Sequence, residues 1–111
     1  MQLIKNKLSR TELNQMAVKL GSFVKAVVDV EREIVAVDAD LHSDLEAFLL
    51  EAGSDQKNLW GINLYPNLQG DDFIEYDSLI NLRPSQNNVT RGVQDEKIRR
   101  RISEIMKEII S

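Results

Sequence analysis

Apolar and polar positions follow two periods along the 111 residues, and the changes of period mark the elements. Gln2-Leu3-Ile4 reads as a short edge strand. Ser9-x-x-Glu12 has the form of a capping box, in which the serine oxygen and the glutamate carboxylate each take an orphan N–H. Leu13, Met16, Ala17 and Leu20 follow at helical spacing, and Gly21 stands where that helix should end. Residues 23–30 and 34–37 are β-branched and apolar, with the charged Glu31-Arg32-Glu33 between them. This predicts a β-hairpin with Val24, Ala26, Val28 and Val30 on one face and Lys25, Val27 and Asp29 on the other.

Ser43-x-x-Glu46 is a second capping box in form, ahead of the stripe Leu45, Phe48, Leu49 and Ala52. With Gly53 as the stop, it predicts a helix over about residues 44–52. Leu59–Tyr65 reads as a strand with Trp60, Ile62 and Leu64 on one face. Residues 66–72 are rich in turn formers, and Phe73–Leu82 reads as the last strand, with Ile74, Tyr76, Ile80 and Leu82 inward. A polar loop at 83–92 leads to Asp95, which caps a final helix with the stripe Ile98, Ile102, Ile105, Met106 and Ile109. The order is (β)αββαββα. Both strand pairs are joined too tightly for a parallel crossover, so the sheet should be largely antiparallel, with four to five strands. The expected architecture is an α+β two-layer domain spanning residues 1–111, with three amphipathic helices on one face and the other face wetter.

Composition narrows the function classes. The chain is 42% hydrophobic and 29% charged, enough for one globular core. It has no cysteine, which removes a disulfide scaffold, a thiol nucleophile and every cysteine-ligated metal site, and fits a reducing compartment. The opening MQLIKNKLSR has no signal-peptide pattern, and no apolar run is long enough to cross a membrane. A cytoplasmic protein without a membrane partner is expected. The net charge of −4 argues against general phosphate-backbone binding. Arg99-Arg100-Arg101 with Lys97 is a local basic run, but Glu96, Glu104 and Glu108 on the same helix can pair with it. Nucleic acid is therefore not the expected partner.

Candidate chemistry gathers in three places. Asp38, Asp40, His42 and Asp44 fall on alternate positions, a spacing that suggests ligands along one strand. The predicted helix start breaks that strand, so the stretch reads as a strand-to-helix junction in which His42 and Asp44 remain candidates for acid–base work. Alternation on the last strand sets Glu75, Asp77, Asn81 and Arg83 on the face opposite its apolar residues. Asn63, Tyr65, Lys25 and Asp29 should join them there, and paired carboxylates of this kind can split their pKa values or hold a metal. The competing reading is a solvated sheet face. In the 83–92 loop, Arg83, Asn87, Asn88, Thr90 and Arg91 could hold an anion ahead of the last helix, or simply tether the loop. No motif calls for a cofactor or a resident metal, and no serine sits in a nucleophile elbow.

The blocks V24-K-A-V-V-D-V30, L41-H-S-D44, L59-W-G-I-N63, F73-I-E-Y-D-S-L-I-N81 and R83-P84, with R91-G92-V93, resemble a family of small uncharacterised bacterial proteins, a domain of unknown function. The resemblance runs from about residue 12 to the end. It implies one domain and one fold, and it implies no activity, cofactor or catalytic residue. Asp38-Ala39-Asp40 departs from it, since a small-residue or glycine turn is expected there.

The leading expectation is a non-catalytic binding or interaction domain, self-associating as a homodimer through the sheet or its edge. The rival is a small hydrolase or metal-assisted enzyme that uses His42, Asp44, Glu75, Asp77, Asn81 and Arg83. A ribonuclease-type regulatory module is the weakest of the three.

Overall fold

The computed structural model describes residues 1–110, apart from the side chain of Leu20, which lies outside the described residues together with Ser111. The fold is α+β: five strands in one antiparallel sheet with three helices. The strands are β1 (Gln2–Ile4), β2 (Val24–Asp29), β3 (Ile34–Val37), β4 (Leu59–Leu64) and β5 (Ile74–Glu75). The helices are α1 (Arg10–Leu20), α2 (His42–Glu51) and α3 (Glu96–Ile109). Spatially the strands run β1-β3-β2-β4-β5, every neighbouring pair antiparallel. Central β2 pairs along its whole length with β4, from Val24 opposite Leu64 to Asp29 opposite Leu59.

Local chemistry accounts for most of these boundaries. Ser9 and Glu12 form the reciprocal capping box, and Gly21 follows α1 at φ 119°, a conformation open mainly to glycine. Asp95 accepts from the Lys97 N–H to start α3. The hairpin turn is held by Asp29, whose Oδ1 accepts from the N–H groups of Glu31 and Arg32 while Oδ2 accepts from the Ser54 hydroxyl at 2.6 Å. Asp29 is thus a fully buried turn residue and does not join a polar sheet face.

The helices do not share one face. Ala26, Val28, Val35, Val37, Trp60 and Ile62 pack with α1 and α3, through Leu13, Met16, Ile102 and Met106 among others. On the reverse face Val27, Ile34, Ala36 and Leu59 pack against Leu45 and Leu49 of α2. The expectation of three helices on one face with the other left wetter is therefore corrected: the centre of the sheet is covered on both sides. The reason lies in β2 and β3, whose runs are apolar at nearly every position, as strands buried on both faces require. The nine CH₂ and CH₃ groups on the side chains of these four reverse-face residues would otherwise meet water, at about 0.8 kcal/mol for each buried methylene.

Two further expectations change. The second capping box does not form: α2 begins at His42, with Leu41 at the cap position and no side-chain cap. The last strand is only two residues long. After it the chain turns through a single 3₁₀ turn at Leu79–Asn81, with the Ser78 hydroxyl accepting from the Ile80 N–H. Leu82 is exposed, and Ile80 packs with the α2 cluster, away from Ile74 and Tyr76. The Asp-Ser…Asn composition of this stretch supplies side chains that satisfy backbone groups locally and so compete with the ladder.

In place of a strand, side chains occupy the outer edge of β4. Asn81, fully buried, accepts from the Gly61 N–H at 2.9 Å and donates to the Gly61 carbonyl at 3.0 Å. Its amide thereby mimics a strand neighbour.

Candidate functional site

The segments that close this edge leave an open cleft of about 490 Å³ beside it. The start of α2 supplies His42, β2 supplies Lys25, the end of β4 supplies Asn63 and Tyr65, and the chain after it supplies Glu75, Asp77 and Arg91. Volumes of roughly 300 to 1,000 Å³ are typical of small-molecule sites.

Its polar groups form one connected set. Glu75 Oε1 accepts from Asn63 Nδ2 at 2.8 Å and from the Tyr65 hydroxyl at 3.0 Å. Burial and the Glu75 carboxylate raise the Tyr65 pKa, so its proton stays on the phenol. Asn63 Nδ2 also approaches the Asp77 carbonyl at 3.4 Å. Arg91 Nε donates to Asp77 Oδ1 at 2.7 Å. Lys25 Nζ donates to the Asp40 carbonyl at 2.6 Å and pins the connection ahead of α2.

His42 Nε2 lies 2.8 Å from the Ile62 carbonyl oxygen. A carbonyl can only accept, so Nε2 carries the proton and the neutral ring presents Nδ1 as an acceptor. Burial lowers the His42 pKa. The Ile62 carbonyl and Asp77 work against that shift, while Lys25 and Arg91 add to it.

Asn63 is 5% exposed, and its Oδ1 accepts no hydrogen bond among the described residues. A buried polar atom without a partner is uncommon and calls for an explanation. Glu75 Oε2 and the terminal nitrogens of Arg91 are likewise uncommitted among the described side-chain hydrogen bonds.

The other candidates lie elsewhere. Asp44 is an exposed residue in the first turn of α2 and does not line the cleft. Asn81 belongs to the β4 edge. Arg83, 8% exposed, lies with its guanidinium 4.3 Å from the Trp60 ring centroid. It donates to the carbonyls of Ile80, Gln56 and Leu59, and burial lowers its pKa. The expected convergence of Asn81 and Arg83 with Glu75 and Asp77 is corrected, because the strand that would have aligned them ends at Glu75. In the 83–92 loop, Asn88 Nδ2 donates to the carbonyls of Asn81, Thr90 and Gly92, so it is spent on tethering the loop. Among the described residues no three histidine, aspartate or glutamate side chains converge to hold a metal ion, so Asp38, Asp40, His42 and Asp44 do not form a ligand set.

Sequence reasoning missed the apolar mouth of the cleft. Leu41 and Leu79 line it and are 53% and 66% exposed. Phe23 joins them, its ring 5.3 Å from that of Tyr65. The signal was present as single leucines within the polar stretches D-A-D-L-H and D-S-L-I-N.

The basic run on α3 is committed to its own surroundings. Arg99 donates to the carbonyls of Val93 and Gln94, Arg100 lies 3.5 Å from Glu96, and Arg101 lies 3.0 Å from Glu33. No helix among the described residues is long and apolar enough to cross a membrane.

Comparison with curated proteins and with solved structures finds no match for the chain. The family comparison does find one, over residues 2–109: the chain belongs to the family described as protein of unknown function (DUF5674).

Proposed function

We propose that this chain is a small binding domain that takes a polar small molecule in the cleft between the start of α2 and the outer end of β4. The observation that carries this reading is Asn63, buried in the cleft wall with Oδ1 unpaired among the described residues. Leaving such an acceptor without a donor costs about 1–3 kcal/mol, which a ligand donor would recover. The neighbouring groups favour binding over catalysis. Glu75 is held by two donors, Asp77 by Arg91 and His42 Nε2 by a carbonyl, so none stands as an activated nucleophile.

Acid–base chemistry is the second reading, favoured by the neutral imidazole of His42 in the same cleft. Pairing of two copies through the sheet edge has less behind it, since β1 offers three residues and β5 two.

The test is backbone-amide NMR of the folded chain against a panel of single polar metabolites: amino acids, nucleosides, sugars and small carboxylates. Shifts centred on His42, Asn63, Glu75 and Arg91 are expected. A panel in which no member moves these amides, or in which the shifts centre elsewhere, overturns the reading. Conversion of a bound member into product replaces binding with catalysis.

A further inference from the structure

The groups left uncommitted in the cleft have a definite polarity. Asn63 Oδ1 and Glu75 Oε2 are acceptors on adjoining side chains, since Asn63 Nδ2 and Glu75 Oε1 are bonded at 2.8 Å. Together they suit a cation that donates several hydrogen bonds, such as an ammonium group. Asn63 Nδ2 also reaches toward the Asp77 carbonyl, and the Asp77 side chain holds Arg91 by Nε alone. The two terminal nitrogens of that guanidinium are free to grip a carboxylate, which matches their planar fork. Tyr76 packs against the core, while Glu75 and Asp77 on either side of it both line the cleft. The lining carries two anions, Glu75 and Asp77, and two cations, Lys25 and Arg91, around a neutral histidine. A neutral, dipolar cleft attracts neither a simple anion nor a simple cation as strongly as a molecule bearing both charges. At the mouth, Leu41 and Leu79 expose apolar surface beside the Phe23–Tyr65 pair.

We propose that the ligand is a free amino-acid-type zwitterion with an apolar side chain: its ammonium group on Asn63 Oδ1 and Glu75, its carboxylate on Arg91, and its side chain against Leu41 and Leu79. This rests on the cleft being a ligand site. It excludes the ends of longer peptides, which offer only one of the two charges next to the side chain.

Isothermal titration of the full chain with L-leucine, L-leucinamide, N-acetyl-L-leucine and glycine tests it. Leucinamide lacks the carboxylate and stands for a peptide N-terminus; N-acetylleucine lacks the ammonium and stands for a C-terminus. Leucine is expected to bind at least about tenfold tighter than either truncated analogue and than glycine. Glu75→Gln should weaken leucine and leucinamide and leave N-acetylleucine unchanged. Arg91→Ala should weaken leucine and N-acetylleucine and leave leucinamide unchanged. Both residues are at the surface, and thermal melting of each variant confirms its fold. Leucinamide or N-acetylleucine binding as tightly as leucine overturns the two-charge assignment, and glycine doing so overturns the apolar contact. If leucine fails while another polar metabolite shifts the cleft amides, the zwitterion is rejected and the ligand site stands. If no member of the panel shifts them, both fall.

Discussion

A methyl group added to Gly61 would lie 2.6 Å from both Cβ and Oγ of Ser78. The chain after β5 therefore presses onto β4 at the one residue of that strand without a side chain. This contact positions the 78–81 turn, and with it one wall of the cleft.

Gly61→Ala should destabilise the fold by about 1–3 kcal/mol, the usual range for forced overpacking. Urea unfolding followed by Trp60 fluorescence measures it. Ser78→Gly in the same chain should restore part of the loss, and a purely additive double mutant would show that the clash is not the cause.

Asn81→Ala removes the side chain that bonds both backbone groups of Gly61 and the Arg91 carbonyl. With each buried group left unpaired costing about 1–3 kcal/mol, a loss near 3 kcal/mol is expected. Amide exchange should rise first at Gly61 and across 78–92. Uniform exchange over the whole chain would instead mean that this region does not open by itself.

Asp38 holds φ at 72°, in the left-handed region where Asp and Asn are tolerated and β-branched residues are not. The turn is thus a glycine-type turn occupied by aspartate. Asp38→Gly should stay near wild-type stability, because its side-chain partners among the described residues are a 3.4 Å contact from Gln2 and a 3.8 Å pair with an exposed lysine. Asp38→Val should lose about 1–3 kcal/mol through backbone strain. Equal stability of the two variants would contradict the assigned conformation.

His42 is a neutral ring whose pKa in the fold lies below the ordinary 6.5. The unfolded chain therefore takes up its proton first as pH falls. The sign follows from linkage: stability declines as pH drops through about 6.5 and levels off below the folded-state pKa. His42→Gln should remove this component, so the difference in stability between variant and wild type should itself vary with pH in that window. A pH-independent difference would mean the ring titrates alike in both states.

Much of the fold was legible in the sequence where one local rule decided the outcome. Ser9 with Glu12, Asp95, and the stripe from Ile98 to Ile109 gave α1 and α3 their places, and alternation gave β2 and β4 their faces. The placement of α2 was harder to read. Val27, Ile34, Ala36 and Leu59 announce a second apolar face, but no spacing along the chain says which helix covers it. The end of the last strand was obscured for a related reason. F-I-E-Y-D-S-L-I-N alternates like a strand, but the Ser78 hydroxyl on the Ile80 N–H, the Asn81 amide on Gly61 and the close approach of Ser78 to Gly61 accompany a turn in its place. Of the site, His42, Asn63, Tyr65, Glu75, Asp77 and Arg91 were all recognisable as polar candidates. Separating them from Asn81 and Arg83 required the third dimension, because side chains two positions apart share a face only while the strand lasts.

The amide of Asn81 on Gly61, with Arg83 on the Leu59 carbonyl, has a consequence for the molecule among its neighbours in a crowded solution. With β5 only two residues long, β4 would otherwise offer a row of bare peptide groups, the template on which a foreign strand can dock and aggregation can start. Side chains anchored in the protein's own turn occupy those groups, and an incoming strand would have to displace them first. The same edge that frames a binding cleft is thereby closed to cross-molecule ladder growth.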